Sequence, residues 1–163
     1  MKLNNLEDLL IHELKDIYSA EKQITKALPK MIKATSSDKL KQAFQNHLEM
    51  TEQQIQRLEG VFETIGKKAT GEKCLAMEGI IKEAESMMSE RADASVMDAA
   101  LIASAQRVEH YEIAAYGTVC AYAKQLGMKD VLKQLSITLE EEKKTDELLT
   151  KIAEQAINTK AEK

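Results

Sequence analysis

The sequence predicts an all-α fold, a four-helix bundle made of two antiparallel hairpins with a short extra helix in the long crossover between them. Three observations predict it. The helix formers Ala, Leu, Lys, Glu, Gln and Met dominate the 163 residues, while aromatic residues make up only 4%. One proline and six glycines are too few for the many turns of a sandwich or barrel. Apolar residues recur at three-then-four spacing over long stretches, the period of a helix with one buried face. A chain of this length fits one domain, spanning 1–163.

The first helix is expected over 6–35, with Leu10, Leu14, Ile17, Ile24, Leu28 and Met31 on its buried side and Pro29 producing a kink. Ser36-Ser37-Asp38 supplies N-cap residues for a second helix over 38–66, carrying Leu40, Phe44, Leu48, Ile55, Leu58 and Phe62 and stopped by Gly66. Residues 67–73, including Gly71, read as a loop. A shorter helix follows over 74–90. The fourth runs over 95–126 and ends at Gly127; the fifth runs over 129–158, leaving 159–163 as a frayed tail.

Length sets the connectivity. Helices of about 28–30 residues extend roughly 42–45 Å, so four of them lie side by side. The links after the first and fourth are very short and force antiparallel hairpins. The stretch between the hairpins is long enough to travel back along the bundle, which is the ferritin-like connection. An internal repeat agrees with two related hairpins: Leu40-Lys41-Gln42 matches Leu132-Lys133-Gln134 at an offset of 92, and Glu21 meets Glu112 at 91.

Charge and termini exclude other classes. The 27 acidic and 23 basic residues leave a net charge of −4, without the basic excess of a nucleic-acid binder. Lys160 and Lys163 are a feeble basic tail. No apolar run reaches the roughly 18 residues of a membrane span, and Met1-Lys2-Leu3-Asn4-Asn5 lacks the apolar core of a signal peptide. A cytoplasmic protein with no nucleic-acid or membrane partner is expected, with Cys74 and Cys120 as reduced thiols. Self-association as a homodimer is the default for such a bundle.

The buried stripes are interrupted by acids. In the first helix the fourth member of Leu10, Leu14, Ile17, Glu21, Ile24, Leu28 is a carboxylate. The fourth helix places Glu109 and Glu112 amid Ile102, Ala105, Tyr116 and Val119. The last places Glu142, and with it Asp146, between Leu139 and Leu149. The second contributes His47 and Thr51. Unpaired carboxylates in a core cost several kcal/mol each or take up protons. Metal ions would cancel the charge, and carboxylates with an imidazole suit iron or manganese. The alternative for each acid is a boundary position whose carboxylate escapes to water or pairs with Lys or Arg. His47 reads equally as a hydrogen-bonded core histidine. Glu49 and Asp146 read as surface or supporting groups, and His12 and His110 as lying off the site. Tyr18 and Tyr111 are candidate donors to the carboxylates, with simple packing the safer reading. Setting Glu21, Glu109, Glu112 and Glu142 aside leaves as many acids as bases outside the core.

Ser19-Ala20-Glu21-Lys22-Gln23, the stretch 43–51, Lys73-Cys74-Leu75-Ala76-Met77-Glu78-Gly79, Asp98-Ala99-Ala100-Leu101-Ile102-Ala103, Val108-Glu109-His110-Tyr111-Glu112-Ile113-Ala114 and Leu139-Glu140-Glu141-Glu142-Lys143 together resemble the bacterial YciF/YciE stress-associated proteins. The resemblance covers almost the whole chain and is most specific around Glu109. It implies a ferritin-like fold, a di-iron site and a general stress setting, with a metal shell of Glu21, His47, Glu109, Glu112 and Glu142. One departure matters: where such proteins often carry His-Leu-Glu-Glu-Thr, this chain has His47-Leu48-Glu49-Met50-Thr51. By the 92-residue repeat Met50 is the counterpart of Glu142, and a thioether is a poor ligand for hard cations. Gln53 and Thr145 stand where histidines of Glu-x-x-His pairs are expected. Two functions follow: an iron or manganese protein handling oxygen or peroxide, or a non-catalytic oligomeric helical protein with a degenerate site. Iron storage in a large shell and DNA binding are disfavoured.

Overall fold

The computed structural model describes residues 3–70 and 72–163; Met1 and Lys2, read above for a signal peptide, and the loop residue Gly71 lie outside the described residues. Five long or medium helices form: α1 (Leu6–Ala34), α2 (Asp38–Thr64), α3 (Leu75–Ser89), α4 (Ala94–Gln125) and α5 (Lys129–Ile152). No strand occurs among the described residues. The starts are set by side-chain caps. Asn5 accepts from the Asp8 amide at 2.8 Å, Ser37 from Leu40 at 3.4 Å, and the Cys74 sulfur from Met77 at 3.4 Å. The stops of α2 and α4 are followed by Gly66 and Gly127 at φ of 65° and 70°, a left-handed conformation that residues with a Cβ adopt only at a cost.

The C-terminal end departs from expectation. Helix α5 passes through a π-helical turn (Ala153–Ile157) into a last helix, α6 (Asn158–Ala161), so the segment expected to fray is helical to Ala161. Burial of Ile152 and Ile157 against the bundle anchors it, and the Ser95 hydroxyl donates to the Lys160 carbonyl at 3.3 Å. Pro29 lies inside α1 on its exposed side.

Helix α1 packs on α2 and α4, α5 packs on α4 and α2, and α3 covers α1 and α4. Cross-helix bonds fix the directions. Thr35 at the end of α1 meets Asp98 at the start of α4, whereas Glu21 meets Tyr116; the two helices are antiparallel. Gln54 to Glu142 and Lys39 to Gln155 make α2 and α5 antiparallel as well. The crossover therefore returns along the bundle, carrying α3, as the lengths required. Its entry into α3 is tied to α1 by the Cys74 amide donating to Ser19 at 2.9 Å and the Gln23 amide donating to the Cys74 carbonyl at 3.0 Å. Both cysteines are buried free thiols.

Two apolar clusters fill the bundle, one at each end. The first includes Leu28, Leu40, Phe44, Leu101 and Ile152 together with Met77 of α3. The second includes Leu10, Leu14, Leu58, Phe62 and Val119. Each fully buried large side chain contributes roughly 1.5–3 kcal/mol by leaving water. Between the clusters lies a polar layer.

One buried acid outside that layer holds the first hairpin. Asp98, 2% exposed, accepts four hydrogen bonds from the α1–α2 turn: the Thr35 hydroxyl at 2.5 Å, the Ser36 amide and hydroxyl at 2.8 and 2.6 Å, and the Ser37 amide at 3.0 Å. These satisfy donors of a tight turn that would otherwise be orphaned. Asp98→Ala is expected to lower unfolding free energy by about 2–4 kcal/mol, because buried donors lose a charged partner. A urea denaturation midpoint that drops with unchanged slope checks this.

Candidate functional site

The polar layer is built from all four long helices. α1 contributes Glu21; α2 contributes His47, Thr51 and Gln54; α4 contributes Glu109 and Glu112; α5 contributes Thr138, Glu142 and Thr145. Glu21, Thr51, Gln54, Glu109 and Glu142 are fully buried, and Glu112 and His47 are 1% and 2% exposed. One donor atom from each of His47, Glu109, Glu112 and Glu142 lies within 4.8 Å of the other three. Glu21 is outside that four-donor set and joins it through the Glu112 carboxyl. His47 Nδ1 sits 3.2 Å from Glu109 Oε1, without hydrogen-bond alignment. Among the described residues, every buried side-chain polar atom lacking a hydrogen-bond partner belongs to Glu21, His47, Gln54, Glu109, Glu112 or Glu142.

The remaining polar atoms of the layer are held by specific donors. The Tyr116 hydroxyl donates to Glu21 and the Gln54 amide donates to Glu142. Gln54 also donates to Glu141 at 3.1 Å. Arg57 grips Glu141 with both terminal nitrogens, at 2.8 and 3.1 Å, and donates to the Thr138 hydroxyl at 2.6 Å. A chain of contacts thus runs from a guanidinium near the surface to a carboxylate in the core.

The four acids and the imidazole of the shell are legible in the sequence, but three of these supporting residues are not. Gln54 lies seven residues after His47, in phase with it; the stripe read from sequence went through Ile55, which is half-buried. Tyr116 falls on the apolar stripe of the fourth helix, and its hydroxyl makes it a donor to Glu21. Arg57 carried no signal. The expected donors point elsewhere: Tyr18 donates to Glu59 at 2.8 Å and Tyr111 donates to Asp16. Glu49 is exposed, and Asp146 is half-buried, accepting from Gln106 at 3.0 Å and lying 3.3 Å from His110.

The register of the repeat also changes. At an offset of 91, buried Leu40, Phe44, His47, Thr51, Gln54, Leu58 and Val61 of α2 correspond to buried Val131, Leu135, Thr138, Glu142, Thr145, Leu149 and Ile152 of α5. The same offset relates Leu10, Leu14, Ile17, Glu21 and Leu28 of α1 to Leu101, Ala105, Val108, Glu112 and Val119 of α4. The triplet match at 92 is off by one residue, and Leu132 is only half-buried. The counterpart of Glu142 is therefore Thr51, not Met50, which stands half-buried beside the stripe. Gln53 is exposed, and Gln54 takes the position assigned to it.

Comparison with known proteins agrees along the chain. The family model described as a domain of unknown function, DUF892, matches residues 5–162. The chain belongs to this family. Its relatives include Protein YciF of Escherichia coli K12, 52% identical over 163 residues, covering 99% of this chain and 98% of that one. The crystal structure of the E. coli stress protein YciF superposes with a TM-score of 0.91 at 51% identity, covering 95% of this chain and 98% of that chain. YcfI from Rhodopseudomonas palustris, which carries a provisional description as a structural protein, superposes with a TM-score of 0.90 at 50% identity, over 91% and 95% of the two chains. A Xanthomonas campestris protein at 20% identity shares the fold, with a TM-score of 0.77 over 95% of each chain.

Without a cation the layer of this DUF892 protein must hold protons. Burial pushes the Glu21 carboxyl up to about 8, with repulsion from Glu142 adding and the Tyr116 bond opposing. Burial raises Glu142 to about 7, with the neighbouring Glu109 carboxyl and the bond from Gln54 opposing. Glu109 and Glu112 are driven well above the carboxylate range, again first by burial and then by Glu142. Burial lowers His47 to about 4, which keeps the imidazole neutral and able to ligate.

These shifts set a pH dependence for the metal-free protein. Each raised carboxyl binds its proton more tightly folded than unfolded, so its contribution is complete below about 4.5 and is lost as pH climbs through about 7 and 8. His47 acts oppositely, costing stability as pH falls from 6.5 toward 4, but one imidazole is outweighed by four carboxyls. The melting temperature of chelator-treated protein is expected to fall between about pH 5.5 and 8.5, at up to about 1.4 kcal/mol per pH unit for each proton released. Calorimetric scans across that range check it, a rising curve being the contrary result.

Proposed function

We propose that this chain holds iron or manganese at the centre of the bundle and handles dioxygen or peroxide in a bacterial stress setting. The observation that carries this reading is the confinement of the unpartnered buried polar atoms to one layer containing four carboxyls and an imidazole. A polar layer of purely structural purpose would be internally satisfied. Hard, multiply charged cations fit oxygen-rich donors with one imidazole. His47, Glu109, Glu112 and Glu142 would hold one ion, and Glu21 with Glu112 and Glu142 a second. Such ions, when bound, supply one-electron exchange with dioxygen or peroxide.

The chain's own residues do the rest. Gln54 orients Glu142, and Tyr116 orients Glu21. The apolar clusters on both sides exclude water. A cation entering the layer displaces protons from the raised carboxyls, so affinity rises with pH. The two halves of the centre are unequal. Thr51-x-x-Gln54 and Glu142-x-x-Thr145 stand where di-metal bundles carry two Glu-x-x-His pairs. His47 and Glu109 lie one turn toward the α1–α2 connection and give the first half its extra donors. The second half has none to replace them.

A non-catalytic oligomeric module is the second reading, favoured by those substituted positions and by the description of YcfI. Metal analysis separates the two. Protein produced with iron or manganese is expected to retain at least about one ion per chain, and Glu109→Ala with Glu112→Ala to lose it. Less than about a tenth of an ion, unchanged by that double substitution, overturns the first reading. Thr51→Glu with Gln54→His is expected to raise the stoichiometry toward two, whereas Met50→Glu leaves it unchanged. The first reading also carries a cytoplasmic location and a homodimer, the latter checked by sedimentation equilibrium.

A further inference from the structure

A mostly apolar cavity borders the layer. Between α1, α3 and α4 lies a slot of about 20 Å³ whose lining includes His47. Its walls are Ile24, Leu28 and Met31 of α1, Ile81 and Ala84 of α3, and Ser104 and Val108 of α4. At the outer end Lys30 and Glu85 form an exposed ion pair at 2.6 Å. The same two residues and Met88 border an open surface depression, so the slot leads from that depression toward His47.

Size and lining together restrict what the slot can hold. A volume of this order accommodates about one water-sized molecule. A buried water typically makes about three hydrogen bonds, and away from the Lys30–Glu85 rim the lining offers polar side chains only on His47 and Ser104, fewer partners than a water or a peroxide would need. A metal aquo-ion is both too large and too costly to strip of its shell. An apolar diatomic meets no such penalty. His47, at which the slot meets the layer, is a member of the four-donor set.

We propose that this slot is a dioxygen chamber opening onto the His47 side of the centre, with Ala84 and Ala27 as the small residues that keep it open. The proposal rests on the metal reading for its purpose, naming dioxygen rather than peroxide as the oxidant admitted, but the chamber itself exists in the metal-free chain. Helix α3, the short helix of the crossover, thereby acquires a role beyond linking the hairpins: it supplies one wall of the chamber.

Methyl NMR of metal-free protein under pressurised oxygen, with nitrogen at equal pressure as the reference, tests it. Dissolved oxygen is paramagnetic and speeds relaxation of methyl groups it visits. The methyls of Ile24 and Leu28, which are buried, are expected to relax several times faster under oxygen than those of the likewise buried Leu10, Leu14 and Val61 at the other end of the bundle. Equal enhancement in both clusters overturns the proposal. Ala84→Leu, and independently Ala27→Leu at the slot's half-buried rim, are expected to abolish the difference while leaving metal content at the parent level. A difference that persists in a folded variant of both kinds also overturns it. Failure of the metal reading is seen separately, as a parent protein without metal whose methyl relaxation is unaltered.

Discussion

Four carboxyls and an imidazole enclosed between two apolar clusters form the constraint on which this molecule is organised. A carboxylate in such surroundings stays charged only beside a cation or strong donors, and otherwise takes up a proton. The bundle uses both remedies. Tyr116 and Gln54 donate to Glu21 and Glu142, while burial lifts all four carboxyls toward neutrality. What they leave unmet is concentrated on Glu109, Glu112, His47 and the free oxygens of the other two. The layer is thus less stable than an apolar one would be, and its residual demand is for positive charge.

The rest of the fold holds that layer in place from outside. Asp98 pins the turn between α1 and α2, and Ser19 and Gln23 pin the start of α3. Arg57, clasping Glu141, anchors the far side of Gln54. These contacts lie away from the donors but determine where the backbones of all four helices stand. A rigid frame lets a polar layer keep one arrangement instead of relaxing to water.

The two hairpins are related by the 91-residue offset, and their differences show how the site became lopsided. Glu21 and Glu112 correspond, as do Thr51 and Glu142. One hairpin carries a threonine where the other carries an acid. His47 and Glu109 supply donors a turn away, on the side where the slot between α1, α3 and α4 arrives. Donor-rich geometry and apolar access therefore share one end of the layer.

Much of this was legible in the residues themselves. Spacing and punctuation gave five helices to within a residue or two, except at the C-terminus, where burial of Ile157 extends order that composition does not signal. The acids in otherwise apolar stripes named Glu21, Glu109, Glu112 and Glu142, because a charged residue in phase with leucines is visible without coordinates. Register was not legible. Neighbouring positions on a helix differ by about 100° of rotation, so a one-residue shift in the repeat exchanges Met50 for Thr51 and Gln53 for Gln54. A repeat matched on exposed and buried residues alike does not reveal which shift packs. Donor choice was equally a matter of tertiary contact: Tyr18, Tyr111 and Tyr116 look alike in sequence, and only the antiparallel seating of α1 against α4 brings Tyr116 to Glu21. Sequence determined which helices carry charge into the core; packing decided which atoms meet there, because helix rotation and axial position are set by the facing side chains.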